Sequence, residues 1–135
     1  MNNNDHRLAE AIISDIDQSE DLIAERNFSS VYFGGGTPSL SSVESIKKIL
    51  DAINNRLTEE ETEITFEMNP NDVSTKKIEG LLMAGVNRIS LGVQSYHDQE
   101  LKALGRSHDS DSILEAKKIL KGTTTTIDLM YGIEN

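Results

Sequence analysis

The sequence holds no cysteine, no tryptophan and only two prolines, and aromatic residues make up just 4% of it. Without thiols, this chain has no disulfides, zinc–thiolate sites, iron–sulfur ligation or cysteine nucleophiles of its own. Positive charge is scarce too, with 13 Lys and Arg against 23 Asp and Glu, a formal net charge of −10. That balance argues against nucleic acid or an anionic membrane surface as partner, because both need clustered basic side chains that displace counterions. No apolar run approaches the ~20 residues of a membrane span. Met1-Asn2-Asn3-Asn4-Asp5-His6 lacks the basic and apolar regions of a signal peptide. Hydrophobic residues make up 36% of the 135, below the usual level of about 45–50% that also counts Gly. The expectation is a soluble, acidic, cytoplasmic chain of one domain with a thin core.

Periodicity orders what is present. Leu8, Ile12, Ile16 and Ile23 recur at helical spacing, predicting an amphipathic helix over about 6–25 with Asp5 as its cap. Val31-Tyr32-Phe33 reads as a short strand ended by Gly34-Gly35-Gly36. Val43, Ile46, Leu50, Ile53 and Leu57 then step by three and four, a one-faced helix starting after Ser41-Ser42. The acidic run Thr58–Glu63 reads as a solvated connection. Ile64, Phe66 and Met68 alternate with polar residues as a strand, and Ser74 caps a helix carrying Ile78, Leu81 and Leu82 that stops at Gly85. Ile89, Leu91 and Val93 form a third strand. Helical stretches follow over about 98–104 and 111–120, ended by Gly105 and Gly122. A last strand opens in Thr123–Thr126 and carries Ile127, Leu129 and Tyr131. Helices alternating with strands argue a parallel α/β sheet of right-handed crossover units, either a small open sheet or an arc of a larger (β/α) barrel.

The strands break a rule for such sheets. Parallel strands covered on both faces should be nearly continuously apolar, yet one parity carries Thr65 and Glu67, Ser90 and Gln94, Thr126 and Asp128. Short helical crossovers disfavour an antiparallel sheet with one wet face. One face of a parallel sheet therefore lines a polar cavity, with Glu67, Gln94 and Asp128 towards the C-terminal strand ends, where ligands bind in such folds. Buried and unpaired, the two carboxylates would each cost several kcal/mol, so the expected ligand is cationic or rich in donors. Gly34-Gly35-Gly36-Thr37-Pro38 sits at the same edge and lets a ligand rest against backbone amides. It matches neither a Walker loop nor a dinucleotide fingerprint.

Five segments carry a resemblance: Val31-Tyr-Phe-Gly-Gly-Gly-Thr-Pro-Ser39, Glu67-Met-Asn-Pro70, Ala84-Gly-Val-Asn-Arg-Ile-Ser-Leu-Gly-Val-Gln-Ser95, Leu104-Gly-Arg-Ser-His108 and Ile127-Asp-Leu-Met-Tyr-Gly132. In this order they resemble the radical S-adenosylmethionine superfamily. The group is that of oxygen-independent coproporphyrinogen III oxidases and their heme-chaperone (HemW-type) relatives, the wording being nearer the chaperone branch. The resemblance implies S-adenosylmethionine as cofactor, held at Gly35, Gly36 and Thr37 of the glycine loop and at Glu67, Gln94, Arg106 and Asp128. It also implies a fold: parallel (β/α) units forming an arc of a partial TIM-type barrel over residues 1–135.

In that family a Cys-x-x-x-Cys-x-x-Cys loop after the first barrel strand binds a 4Fe–4S cluster that cleaves the cofactor to a 5′-deoxyadenosyl radical. With no cysteine here, no metal ligand is assigned. The expectation is a partial domain without the cluster-binding strand or the second half of the barrel, performing no radical chemistry by itself. Its expected setting is porphyrin or heme metabolism. The alternative is a non-enzymatic module binding heme or a heme-accepting protein, with His97, His108 and Met130 as heme-ligand candidates. Unpaired sheet edges add an expectation of self-association.

Overall fold

Four parallel strands carry the alternating pattern: β1 (Ser30–Phe33), β2 (Glu63–Met68), β3 (Arg88–Gln94) and β4 (Thr125–Leu129), hydrogen-bonded in the sequential order β1-β2-β3-β4. The structure, a computed structural model, describes residues 3–23, 26–57 and 62–133. Register pairs Phe33 with Phe66, Met68 with Leu91, and Leu91 with Ile127. This is the expected arc of β/α units.

Among the described residues, six α-helices complete it: α1 (Asn3–Gln18), α2 (Glu20–Ile23), α3 (Val43–Ile53), α4 (Thr75–Met83), α5 (Asp98–Ala103) and α6 (Ser110–Ile119). The apolar strand parity faces the crossover helices. Phe66, Ile89, Leu91 and Val93 are wholly buried there against Ile46 and Leu50 of α3, Leu81 of α4, Leu101 of α5 and Ile113 of α6. Burying each such side chain contributes about 1.5–3 kcal/mol. Ser42 and Ser74 cap α3 and α4 by accepting from the amides of Ser45 and Lys77, as their positions before apolar periodic runs predict. Among the described residues, no helix is long and apolar enough to cross a membrane.

Several expectations need correction. The first helix is not continuous to residue 25: it breaks at Ser19, whose carbonyl accepts from Leu22 and Ile23 to start α2, and residues 24 and 25 lie outside the described ones. Asp5 lies inside α1 rather than capping it. Its carboxylate reaches across to accept from the Ser42 amide at 3.1 Å and the Ser45 hydroxyl at 2.8 Å, so it ties α1 to the start of α3. Ala9 is buried on α1 while Leu8 stays 56% exposed, because the helix is turned by that tether and its stripe only partly covered.

The helix expected to reach Leu57 ends at Ile53, where Asn54-Asn55, poor helix formers, lead into a tight 3₁₀ turn. Leu57 then pairs with Phe28 as a parallel bridge. The acidic run Thr58–Glu61 lies outside the described residues. β4 begins in the threonine run as expected but stops at Leu129, leaving Tyr131 fully exposed.

Candidate functional site

The polar strand parity opens onto one cleft of about 220 Å³ at the C-terminal strand ends, lined by Gly36, Thr37, Glu67, Gln94, Arg106 and Asp128 together with Asn69 and Ser90. Six of the seven residues singled out from sequence therefore meet in one place. The seventh, Gly35, lines the neighbouring, mostly apolar cavity of about 200 Å³ between α1, α3 and the glycine loop.

Each wall has a local cause. Gly35 and Gly36 take left-handed φ of 77° and 53°, turning the chain from β1 into the 3₁₀ turn Pro38–Leu40. That turn is anchored from below: Ser39 donates to Asp72 Oδ2 at 2.5 Å, and the Lys77 ammonium donates to the carbonyls of Ser39 and, at 3.0 Å, of Ser41. Burial lowers the pKa of Lys77, while Asp72 and Asp5 partly restore it. Arg106 follows the Schellman turn that ends α5, in which its amide donates to Leu101 O at 2.9 Å and the Gly105 amide to Lys102 O at 3.1 Å.

Two carboxylates are held by hydroxyls from the adjoining strand. Ser90 donates to Asp128 Oδ2 at 2.9 Å and Tyr32 to Glu67 Oε1 at 2.8 Å. The hydrogen bond to Glu67 raises the Tyr32 phenol above its ordinary pKa. Glu67 is half-buried and Asp128 exposed, so neither is the buried, unpaired carboxylate that strand parity predicts, since the cleft is open to water. At the other end of this face, Arg88 spans three strands, donating to Glu63 at 2.9 Å, Thr65 at 3.3 Å and Thr126 at 3.4 Å, which explains why Thr65 is buried on the polar side.

Tyr32 is a site residue that sequence reasoning missed. Between Val31 and Phe33 it reads as core, and it is the register of β1 on β2, pairing Tyr32 with Thr65, that sets it on the face carrying Glu67. Of the heme-ligand candidates, His97 is exposed ahead of α5 and Met130 is half-exposed. His108 is 5% exposed with Nε2 already engaged by Val93 O at 3.1 Å, so the alternative of a heme-binding module loses one of its three candidate ligands.

The fold and cleft define a class. The profile of the Radical SAM superfamily matches residues 6–135, and the chain belongs to that superfamily. Within it, the chain is similar to heme chaperones and to a coproporphyrinogen oxidase. The heme chaperone HemW of Haemophilus influenzae is 37% identical over 134 residues, covering 96% of this chain and 35% of the relative. The mitochondrial radical S-adenosyl methionine domain-containing protein 1 of Bos taurus is 38% identical over 117 residues, 83% of this chain and 26% of the relative. The solved structure of the Escherichia coli radical SAM enzyme coproporphyrinogen III oxidase (HemN) superposes with a TM-score of 0.81 at 26% identity, covering 98% of this chain and 32% of that one. The chain thus spans about a third of the length of these heme chaperone and oxidase counterparts.

The superfamily implies two groups. The donor set fits S-adenosylmethionine: two carboxylates, one guanidinium and two side-chain amides, of Asn69 and Gln94, surround the cleft, and a Cβ at Gly35 or Gly36 would meet nothing within 4 Å, so the loop backbone is open to a ligand. It does not fit an iron–sulfur cluster, for which this sequence offers no thiolate.

Proposed function

We propose that this chain is the S-adenosylmethionine cradle of a radical SAM protein that handles heme or porphyrinogen. The observation that carries the proposal is the convergence of Gly36, Thr37, Glu67, Gln94, Arg106 and Asp128 on one cleft. The cofactor carries a sulfonium, an ammonium and a carboxylate. Glu67 and Asp128 supply the negative charge that its cationic groups require, and Arg106 supplies the guanidinium for its carboxylate. Gln94 both donates and accepts, and Gly36 and Thr37 of the glycine loop line the same cleft, where the loop's open backbone would take the amino-acid end. Tyr32 and Ser90 hold the two carboxylates in place before any ligand arrives, which reduces the ordering cost of binding.

Glu67, Gln94, Arg106 and Asp128 would hold the cofactor, which would supply radical chemistry to the whole protein. The cluster ligands are not among these 135 residues, so the role assigned to this chain is to bind and orient the cofactor. Handling of heme or porphyrinogen, in a bacterial or organellar setting, is proposed for the whole protein on the strength of its named relatives.

Calorimetric titration of the chain with S-adenosylmethionine tests the reading. Saturable one-to-one binding is expected, weakened about tenfold or more in Asp128→Ala and in Gln94→Ala, the scale of one hydrogen bond to a charged partner. Absence of binding, or affinity unchanged in both variants, overturns it.

A further inference from the structure

Gln94 is the single non-glycine residue with positive φ among the described residues, at 66°. The Ser95 amide donates to Val93 O at 2.8 Å, closing a three-residue turn around it, the rare and strained hand of the γ-turn. The β3–β4 register slips at this point, Gly92 pairing with Asp128 and Gln94 with Leu129, so Val93 is the extra residue of a bulge, the device by which strands re-aim a side chain. The result is visible in the cleft. The Gln94 amide nitrogen folds back over Gly92, lying 3.2 Å from where a Cβ would stand.

A non-glycine residue holds such a backbone only when its surroundings over-determine it. One surrounding group is the buried imidazole of His108, whose Nε2 lies 3.1 Å from the Val93 carbonyl. A carbonyl only accepts, so Nε2 carries the hydrogen. Val93 O thus receives two donors, the Ser95 amide from within the turn and His108 from outside it. On the far side, the Gln94 carbonyl accepts from the Met130 amide at 2.8 Å. His108 also stands two residues after Arg106, on the loop that brings the guanidinium to the same cleft.

We infer that His108 is a positioning residue: by holding the Val93 carbonyl it fixes the strained turn that aims Gln94 into the cleft, and it couples that wall to the loop bearing Arg106. The inference rests on the cofactor reading only for its consequence in affinity. The conformation of Gln94 is read independently of any ligand.

The test uses the 135-residue chain with His108→Leu, His108→Gln (which returns a donor near the Nε2 position) and Gln94→Gly (which removes the strain). In the His108→Leu chain, the Gln94 backbone and side-chain amide resonances are expected to shift while those of the core strands stay, and His108→Gln to return them towards wild type. S-adenosylmethionine affinity should fall about tenfold in His108→Leu and recover in His108→Gln. If His108→Leu unfolds, denaturation midpoints of His108→Met, which keeps an adaptable side chain but no donor, alone and combined with Gln94→Gly decide instead. Losing the restraint releases strain only while Gln stands at 94, so a histidine that restrains the turn makes its substitution costlier once Gly stands there, whereas one that merely packs lowers the midpoint equally in both backgrounds and overturns the inference. Unmoved Gln94 resonances in a folded His108→Leu chain overturn it as well. Failure of the wild-type chain to bind S-adenosylmethionine sinks the cofactor reading and leaves the Gln94 resonances to decide for His108.

Discussion

The Tyr32 hydroxyl donates to Glu67 Oε1 at 2.8 Å, and the ring that carries it lies over Gly34, where a Cβ would come within 2.6 Å of the ring edge. The glycine is therefore needed for a contact made two residues earlier. Tyr32 is 57% exposed, so Gly34→Ala is expected to swing the ring off Glu67 rather than unfold the chain. The raised phenol pKa gives a readout. The hydrogen bond stabilises the fold below pH 10.0 and is lost as pH climbs through the higher folded-state value. In a chain with Tyr96→Phe and Tyr131→Phe, absorbance titration should find Tyr32 ionising later than a free tyrosine. Adding Gly34→Ala or Glu67→Gln should bring it back down, and a curve unchanged by both would remove the contact from the account.

Asp5 gives an acid dependence. Burial pushes its pKa up, but the hydrogen bonds from Ser42 and Ser45 outweigh burial and set it below 3.8. The stabilisation it brings is therefore complete above pH 3.8 and lost as pH falls through the lower folded-state value. Asp5→Ala is expected to lower stability by about 1–2 kcal/mol at neutral pH, the scale of a lost cap or charged hydrogen bond. The difference from wild type should vanish in strong acid. Urea midpoints at neutral pH and near pH 2 check this.

Leu81 and Leu82 are neighbours with opposite fates. Leu81 is wholly buried and Leu82 is 41% exposed. Leu81→Ala should cost about 2–5 kcal/mol through lost burial and the cavity left behind, while Leu82→Ala should cost less than about 1 kcal/mol. Denaturant midpoints with unchanged slopes measure both. Similar losses for the two would mean that α4 is rotated from the position described.

β1 and β4 are the outer strands of the sheet, and β4 exposes Ile127 and Leu129. Outer strands with apolar exposure pair readily with other chains. Size-exclusion chromatography of the chain by itself is expected to give a mass rising with concentration, and a sharp monomer at all concentrations would refute this.

Strand parity alone reached Glu67, Gln94 and Asp128, because side chains alternate with a strict period of two and a polar residue on a parallel strand has few other uses. The glycine run pointed to the loop of Gly35, Gly36 and Thr37, to which the resemblance gave a ligand, while Arg106 came from the resemblance alone, because its place depends on a loop that periodicity does not describe. Tyr32 stayed hidden because an aromatic between two apolar residues reads as core, and only the register with Glu67 shows it facing the cleft. His108 escaped for a different reason. Its role depends on a bulge at Val93, and no local pattern in Ile89-Ser90-Leu91-Gly92-Val93-Gln94 announces that the alternation slips there. The end of α1 was illegible because apolar spacing persists past Ser19, where the backbone, not the pattern, decides.

The strands lie in the sheet in the order in which they occur along the chain, each hydrogen-bonded only to its sequence neighbours. Each pairing closes over a single crossover, so the entropy of loop closure is met in similar small instalments instead of one long excursion. Assembly can proceed by accretion, each β/α unit templating the next, much as in solenoid proteins. A cleft assembled this way gains one wall per strand: first the glycine loop, then Glu67, then Gln94, and last Asp128. Its full charge set is then a late acquisition in folding, complete only when the fourth strand has docked.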